Sequence, residues 1–376
     1  MTGLSAPRTI HADDAQETPL TPPSPTPIFR SGFDMTISKP AIATPKSDFW
    51  LVGGLSILAL SLLAVSNFAG SNELVLENYI ILTVLLNGTH FLASYRLLYS
   101  SRAFALTYPW ASVYVPALLV IYGFGALILT IPYPSITLPV ELLLATASLY
   151  LALHYTGQAW GMMASFAYLD GVRFQPHERR ILRLCLRTMA IWHAVWALRL
   201  LWTPSMSMAP YVELLSYILN TMGVLSLVVG VLCLASVGRA NGQRVTARIV
   251  VPYVALHVWY AFLYVFPQSI FWVQIFHALQ YLPFPFRVEL NRASHSPQSK
   301  NNFATSVAYL GTLAALSAII FGYIPWSAEA IGPGARSVWV VIAAIINIHH
   351  YFIDGCIWHI SNPVVSQELF AHTKHR

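Results

Sequence analysis

Charge is what this sequence has least of. Lys, Arg, Asp and Glu together make up 10% of its 376 residues, against about 25% in an ordinary soluble domain. Hydrophobic residues make up 56%. So little polar surface cannot clothe a chain of this size in water, which excludes a soluble globular fold and makes lipid the natural solvent. Cysteine is scarce too. Cys185, Cys233 and Cys356 stand singly in apolar stretches, without a CxxC pair; they read as buried small hydrophobes, with no disulfide framework. There is no P-loop, no GxGxxG and no GxSxG, so nucleotide-driven and serine-hydrolase chemistries have no footing. A basic-then-apolar leader is missing as well.

Proline is the exception to this scarcity. Eight of the 24 prolines fall in the first 49 residues, several of them in the run Pro19-Leu-Thr-Pro-Pro-Ser-Pro-Thr-Pro27. Such a segment cannot bury enough apolar surface to offset its ordering entropy, so residues 1–49 are expected to be a disordered, Pro-rich cytoplasmic tail. Met35-Thr-Ile-Ser-Lys reads as a compact alternative start just before the first apolar run. Residues 50–358 are expected to form a transmembrane helical domain, and 359–376 a short cytoplasmic tail.

A helix crossing the hydrocarbon core needs about 20 mostly apolar residues. Runs of that kind occupy 50–68, 76–98, 109–132, 138–167, 180–202, 211–237, 247–266, 269–287, 303–324 and 336–358. The chain therefore reads as an all-α polytopic bundle of about ten spans. Charge placement orients it. All of the 21 Lys and Arg residues except Arg199 and Arg336 fall in the N-tail, the even-numbered connections or the C-tail. By the positive-inside rule both termini are cytoplasmic. The host membrane is expected to be a bacterial inner (plasma) membrane. The formal net charge of +6 is thus a topology signal, and no nucleic-acid partner is expected.

Ionisable groups inside a bilayer are costly and default to function. His90 lies in the second span, His154 in the fourth, His277 in the eighth, and His349, His350 and Asp354 in the tenth. His193 and His257, in the fifth and seventh, read as interhelical hydrogen-bonding residues. Spacing gives each member of the first set a polar neighbour on its own helix face. His350 and Asp354 are i,i+4, as are His154 and Gln158; His277 and Gln280 are i,i+3, as are Asn87 and His90. The second, fourth, eighth and tenth spans all run outside to inside, and their histidines sit about 9–21 Å from the cytoplasmic end at 1.5 Å per residue. Four parallel helices therefore bring imidazoles to one layer.

Imidazole plus carboxylate suits ferrous iron and oxygen activation. The leading expectation is a membrane-embedded non-haem iron oxidoreductase with one or two ions. Its substrate would be lipid-soluble, such as a carotenoid, another isoprenoid or an acyl chain. His90, His154, His277, His350 and Asp354 are the expected metal ligands. Gln158, Gln280 and His349 would orient ligands or bound water, and Tyr155, Tyr281 and Tyr351 would line the pocket or move protons. Short connections leave no room for a reductase domain, so a separate electron donor is expected. A haem- or chlorophyll-binding protein is the alternative, with Gly157 and Gly161 making room for a flat ring. A transporter relaying protons through Asp354 and His350 is the third.

The strings Asn87-x-x-His90-Phe91, His277-x-x-Gln280-Tyr281 and His349-His350-Tyr351-Phe352-x-Asp354-Gly355-x-Ile357-Trp358 resemble those of uncharacterised histidine-rich multi-pass bacterial membrane proteins. Single histidines spread over several spans are also similar to the carotene-cleaving, Brp/Blh-type membrane oxygenases. That likeness implies an iron-dependent oxygenase acting on a lipid-soluble chain. The clustered HxxxH and HxxHH boxes of membrane desaturases and alkane hydroxylases are missing, which argues against membership there.

Overall fold

The longest apolar runs become the longest helices. A computed structural model of the chain describes residues 40–68, 79–201, 208–294, 301–358 and 362–373. The expected tail 1–39, Met35 included, lies outside the described residues. Within them there is no strand, so the fold is all-α. Among the described residues, nine helices are long and apolar enough to cross a membrane: α1 (Pro45–Ser66), α2 (Tyr79–Leu98), α3 (Trp110–Thr130), α4 (Leu138–Leu169), α5 (Pro176–Leu201), α6 (Ala209–Ala240), α7 (Ala247–Val265), α10 (Asn302–Ile331) and α11 (Pro333–Ile357). The eighth expected span is instead a pair, α8 (Ile270–Tyr281) and α9 (Pro283–Ser294). Pro283 has no N–H to continue the ladder, so the helix breaks at Leu282 and restarts with proline in its first turn. A short α12 (Pro363–Leu369) follows α11.

The outward faces carry large apolar side chains with nothing packed over them. Ile121 and Phe124 of α3 are 69% and 66% exposed, and Val224 of α6 is 65% exposed. A monomeric soluble protein does not present continuous apolar helix faces to water. In a bilayer they meet acyl chains, and the polar residues turn inward.

Wide π-type turns interrupt α1 at Trp50–Gly54, α2 at Thr83–Asn87, α3 at Trp110–Tyr114 and α10 at Ala318–Tyr323. Such turns release backbone carbonyls. In α3, Pro116 has no N–H to offer the preceding turn. The carbonyls of Ala111 and Ser112 then accept from His349 Nε2 at 2.7 Å and the Tyr99 hydroxyl at 2.9 Å. In α2, the Ser317 hydroxyl of α10 donates to the Val84 carbonyl. A Cβ on the adjacent Gly88 would come within 2.0 Å of that hydroxyl oxygen, so only glycine lets the two backbones approach.

One end of the bundle is tied together by ion pairs. Arg248, at the start of α7, meets Asp48 at 3.3 Å and Asp170, just after α4, at 2.5 Å, all three side chains being nearly inaccessible. Arg287 donates to the Ile42 carbonyl, His372 bonds the Ala41 carbonyl at 2.8 Å, and Arg292 of α9 pairs with Glu368 of α12 at 2.7 Å. The chain before α1, the connections after α4 and α6, helix α9 and the C-terminal segment thus meet at a single end. These are the segments that the basic residues group together. Arg336 sits elsewhere, paired with Glu329 in an exposed contact at 3.6 Å.

Residues 40–49 depart from the expected disorder. Ile42 and Asp48 are each 1% exposed, and the Asp48 carboxylate accepts from the Ile42 and Ala43 N–H groups at 3.0 and 2.9 Å. Composition placed this stretch in the tail because its prolines hide one acidic residue with a buried partner 200 positions away. Likewise, the expected C-terminal tail includes a docked helix: Leu369 and Phe370 are buried.

Removing one member of a buried ion pair strands its partner, at about 3–5 kcal/mol. Arg248→Met is therefore expected to lower the thermal midpoint in detergent sharply, as followed by tryptophan fluorescence. Asp48→Asn should cost less, because Arg248 keeps its closer partner Asp170, although the amide nitrogen replaces one of the two oxygens that accept from Ile42 and Ala43.

Candidate metal centre

The cluster is built where α2, α4, α8 and α11 meet. His90, His154 and His350 turn a ring nitrogen toward one carboxylate oxygen, Asp354 Oδ2. The Nε2 atoms of His90 and His350 lie 3.5 Å from it, and that of His154 lies 3.9 Å away. One ligand atom from each of these four residues falls within 4.8 Å of all the others. His277 completes the group, its Nε2 2.8 Å from that of His154. Ligands bound to one ion at about 2.0–2.2 Å stand roughly 3–4 Å apart, so the spread suits one ion or a close pair. All five expected ligands converge.

Both ring nitrogens of His90, both of His350 and Nδ1 of His277 are buried without any hydrogen-bond partner. Each such atom left unsatisfied costs about 1–3 kcal/mol. A metal ion takes one nitrogen per ring, so here it would satisfy the Nε2 atoms of His90 and His350 that face Asp354 Oδ2. The residues present fit a metal.

Asp354 is positioned by its other oxygen. The Ser94 hydroxyl donates to Oδ1 at 2.6 Å and the Tyr281 hydroxyl at 3.3 Å. Ser94 and Tyr281 are themselves 2.5 Å apart, and the Trp358 indole N–H donates to the Tyr281 hydroxyl at 3.0 Å. Hydrogen bonds of this kind hold a carboxylate in one orientation and tune a metal ligand's basicity. Sequence reasoning missed Ser94 and Trp358. The signal existed, since Ser94 follows His90 by four residues and Trp358 follows Asp354 by four, but a serine and an interfacial tryptophan carry no ligand chemistry of their own.

The other expected residues divide. The Tyr281 ring lies 4.0 Å from that of His90 and the Tyr155 ring 4.5 Å from that of His277, centre to centre; the Tyr155 hydroxyl is buried and unpartnered. Tyr351 stacks 4.7 Å from His154 and donates to Asn347 Oδ1 at 3.2 Å. Gln158 bonds the backbone carbonyl of His277 at 3.0 Å, so it positions that helix and not the imidazole ring. Gln280 turns away to the Val52 carbonyl at 2.6 Å, where the α1 chain bends at Gly53.

His349 does not join the cluster. Its Nδ1 bonds the Tyr95 hydroxyl at 2.8 Å and its Nε2 the Ala111 carbonyl. Adjacent residues on a helix point about 100° apart, so His349 faces α2 and α3 while His350 faces the group. It is a clasp, and the expected role in orienting ligands is replaced by that one. His257 is satisfied by Ser226 at 2.8 Å and the Tyr253 carbonyl at 2.9 Å. His193 packs behind Tyr155 and Tyr260, outside the group.

No protein-family model, curated protein or solved structure matches this chain. Fold and site define its class: an all-α, polytopic membrane protein with a buried histidine–aspartate group able to hold metal.

Two substitutions separate positioning from packing. Ser94→Ala is expected to weaken metal binding about 10–100-fold, measured by competition with a chromophoric chelator. His349→Phe should leave that affinity unchanged while costing about 1–3 kcal/mol of stability, because the Tyr95 hydroxyl and the Ala111 carbonyl lose their partner.

Proposed function

We propose that the protein is a membrane-embedded, metal-dependent oxidoreductase holding one or two non-haem iron ions and acting on a lipid-soluble substrate such as a carotenoid, another isoprenoid or an acyl chain. One observation carries this reading: four imidazoles and one carboxylate converge inside the apolar bundle with most ring nitrogens unpartnered. Neutral imidazole with a carboxylate is the donor set of ferrous sites that activate oxygen, and iron held there would supply that redox chemistry. His90, His154, His277 and His350 would bind through nitrogen and Asp354 through Oδ2, while Ser94 and Tyr281 keep the carboxylate turned toward the rings. The surrounding aromatic and aliphatic walls exclude bulk water. A substrate dissolved in the bilayer meets only apolar surface on its way to the bundle. Electrons would come from a separate donor.

Iron ions are favoured over haem or chlorophyll by the packing of the rings. Centres of the His90, His154, His277 and His350 rings lie 4.4–5.9 Å apart, which leaves no slot for a macrocycle between them. Added Cβ atoms on Gly157 and Gly161 would meet nothing within 4 Å, so these glycines are not clearing space in a tight pocket. A proton relay is less favoured, because Asp354 is held in place by two hydroxyl donors, Ser94 and Tyr281.

Protein purified from its native membrane is expected to contain one or two iron ions per chain by elemental analysis, with no Soret band. His350→Ala and Asp354→Asn should each remove most of the metal while keeping the helical circular dichroism. A Soret band, or wild-type protein free of any transition metal and unable to take one up, would overturn the reading.

A further inference from the structure

Arginines climb the outward face of α5. Arg180, Arg183 and Arg187 are all exposed, and at 3.6 residues per turn they fall within about 60° of one another around the helix. They rise about 10 Å along its axis, from the basic end toward the middle of the bundle. Leu184 and Ile191 share this face and are 64% and 56% exposed, so apolar surface continues between and beyond the guanidinium groups. Among the described residues, none of the three arginines pairs with a carboxylate. The nearest carboxylates in the chain are already engaged. Asp170 pairs with Arg248 at 2.5 Å, and the buried Glu178 accepts the Gln175 N–H at 2.7 Å.

Membrane thickness fixes the level of this face. Arg199, near the other end of α5, is also exposed and donates to the Ser216 hydroxyl at 2.7 Å. Arg187 and Arg199 stand about 18 Å apart along the axis at 1.5 Å per residue, whereas the hydrocarbon core is about 30 Å thick. Both side chains must therefore snorkel to opposite headgroup layers. The Arg187 guanidinium then lies at the level of the lipid phosphates, with Arg183 and Arg180 below it. Trp160 of α4 marks the same level: its partly exposed ring lies 4.9 Å from Arg183 Cζ, and tryptophan concentrates at membrane–water interfaces. Three residues before it, on the same face of α4, stands the exposed Gly157, where an added Cβ would meet nothing within 4 Å. The surface next to the Arg183–Trp160 contact is thus open on the side toward the bilayer centre.

We propose that this face of α5 is a binding site for an anionic phospholipid. Arg180, Arg183 and Arg187 hold its headgroup phosphate, whose oxygens the planar guanidinium fork matches. Its acyl chains lie along Leu184, Ile191 and the open surface at Gly157. The exposed apolar residues favour a lipid over free phosphate or an acidic protein, because only a lipid brings anion and hydrocarbon together at that depth. None of these residues belongs to the histidine–aspartate group, so the site does not depend on what that group binds.

The test uses the full chain in mild detergent, titrated separately with dioleoyl-phosphatidylglycerol and dioleoyl-phosphatidylcholine, with bound lipids counted by native mass spectrometry. Phosphatidylglycerol is expected to bind at least about tenfold more tightly. Arg183→Gln combined with Arg187→Gln should weaken its binding about 30-fold. Leu184→Glu, an independent change that sets a negative charge between the two arginines, should weaken it as well. Arg239→Gln combined with Arg244→Gln removes equal exposed charge at the same end but off this face, and should leave the affinity nearly unchanged. Equal affinity for the two lipids, no loss in either α5 variant, or an equal loss in the Arg239/Arg244 variant would overturn the proposal. So would displacement of the lipid by inorganic phosphate, or tighter binding of poly-glutamate, which would reassign the face to a free anion or to an acidic protein.

Discussion

Imidazole nitrogens buried in an apolar bundle must find partners, and most of the structure follows from how each one does. His257 finds a serine and a carbonyl, and His349 a tyrosine and a carbonyl; both become interhelical ties. His90, His277 and His350 have ring nitrogens left over and face Asp354 or one another, while His193, with an unpartnered Nδ1, packs against Tyr155 and Tyr260 instead. Histidines with the same chemistry thus serve two ends, separated only by what stands opposite each ring. In water the difference would matter little. With no solvent to satisfy the remainder, it decides which rings tie helices together and which keep unpartnered nitrogens.

The same scarcity of partners shapes the backbone around the site. Pro116 withholds an N–H in α3, and the carbonyls thereby freed accept from His349 and Tyr99. Through His349, this ties α11 to α3. The π-type turn of α2 ends at Asn87, three residues before His90, while Gly88 allows α10 to approach. The bend at Gly53 leaves the Val52 carbonyl to Gln280 of α8. Each irregularity lies within a few residues of the cluster or of a side chain that positions it, as is common for wide turns at functional sites.

Ion pairs do the corresponding work at the basic end. Arg248 joins the chain before α1 to the connection after α4, and Arg292 joins α9 to α12.

Much of this was legible in the sequence, for identifiable reasons. Apolar composition and run length determined the solvent and the helical class, because a span must satisfy its own backbone. The placement of Lys and Arg determined which connections share an end. The same bookkeeping put the four histidine-bearing spans in parallel, and residue spacing placed Asp354 on the face of His350. Other features were out of reach. Helical periodicity states which residues share a face, but not which way that face turns against its neighbours. His349 and His350 were therefore indistinguishable until α2 and α3 stood beside them. Asp48 looked like part of a tail until Arg248 was opposite it. Ser94 became a partner of Asp354 only through contacts between helices far apart in the chain. The sequence by itself determined the membrane, the helices and the polar side chains placed among them; tertiary packing decided which nitrogens meet and which are satisfied.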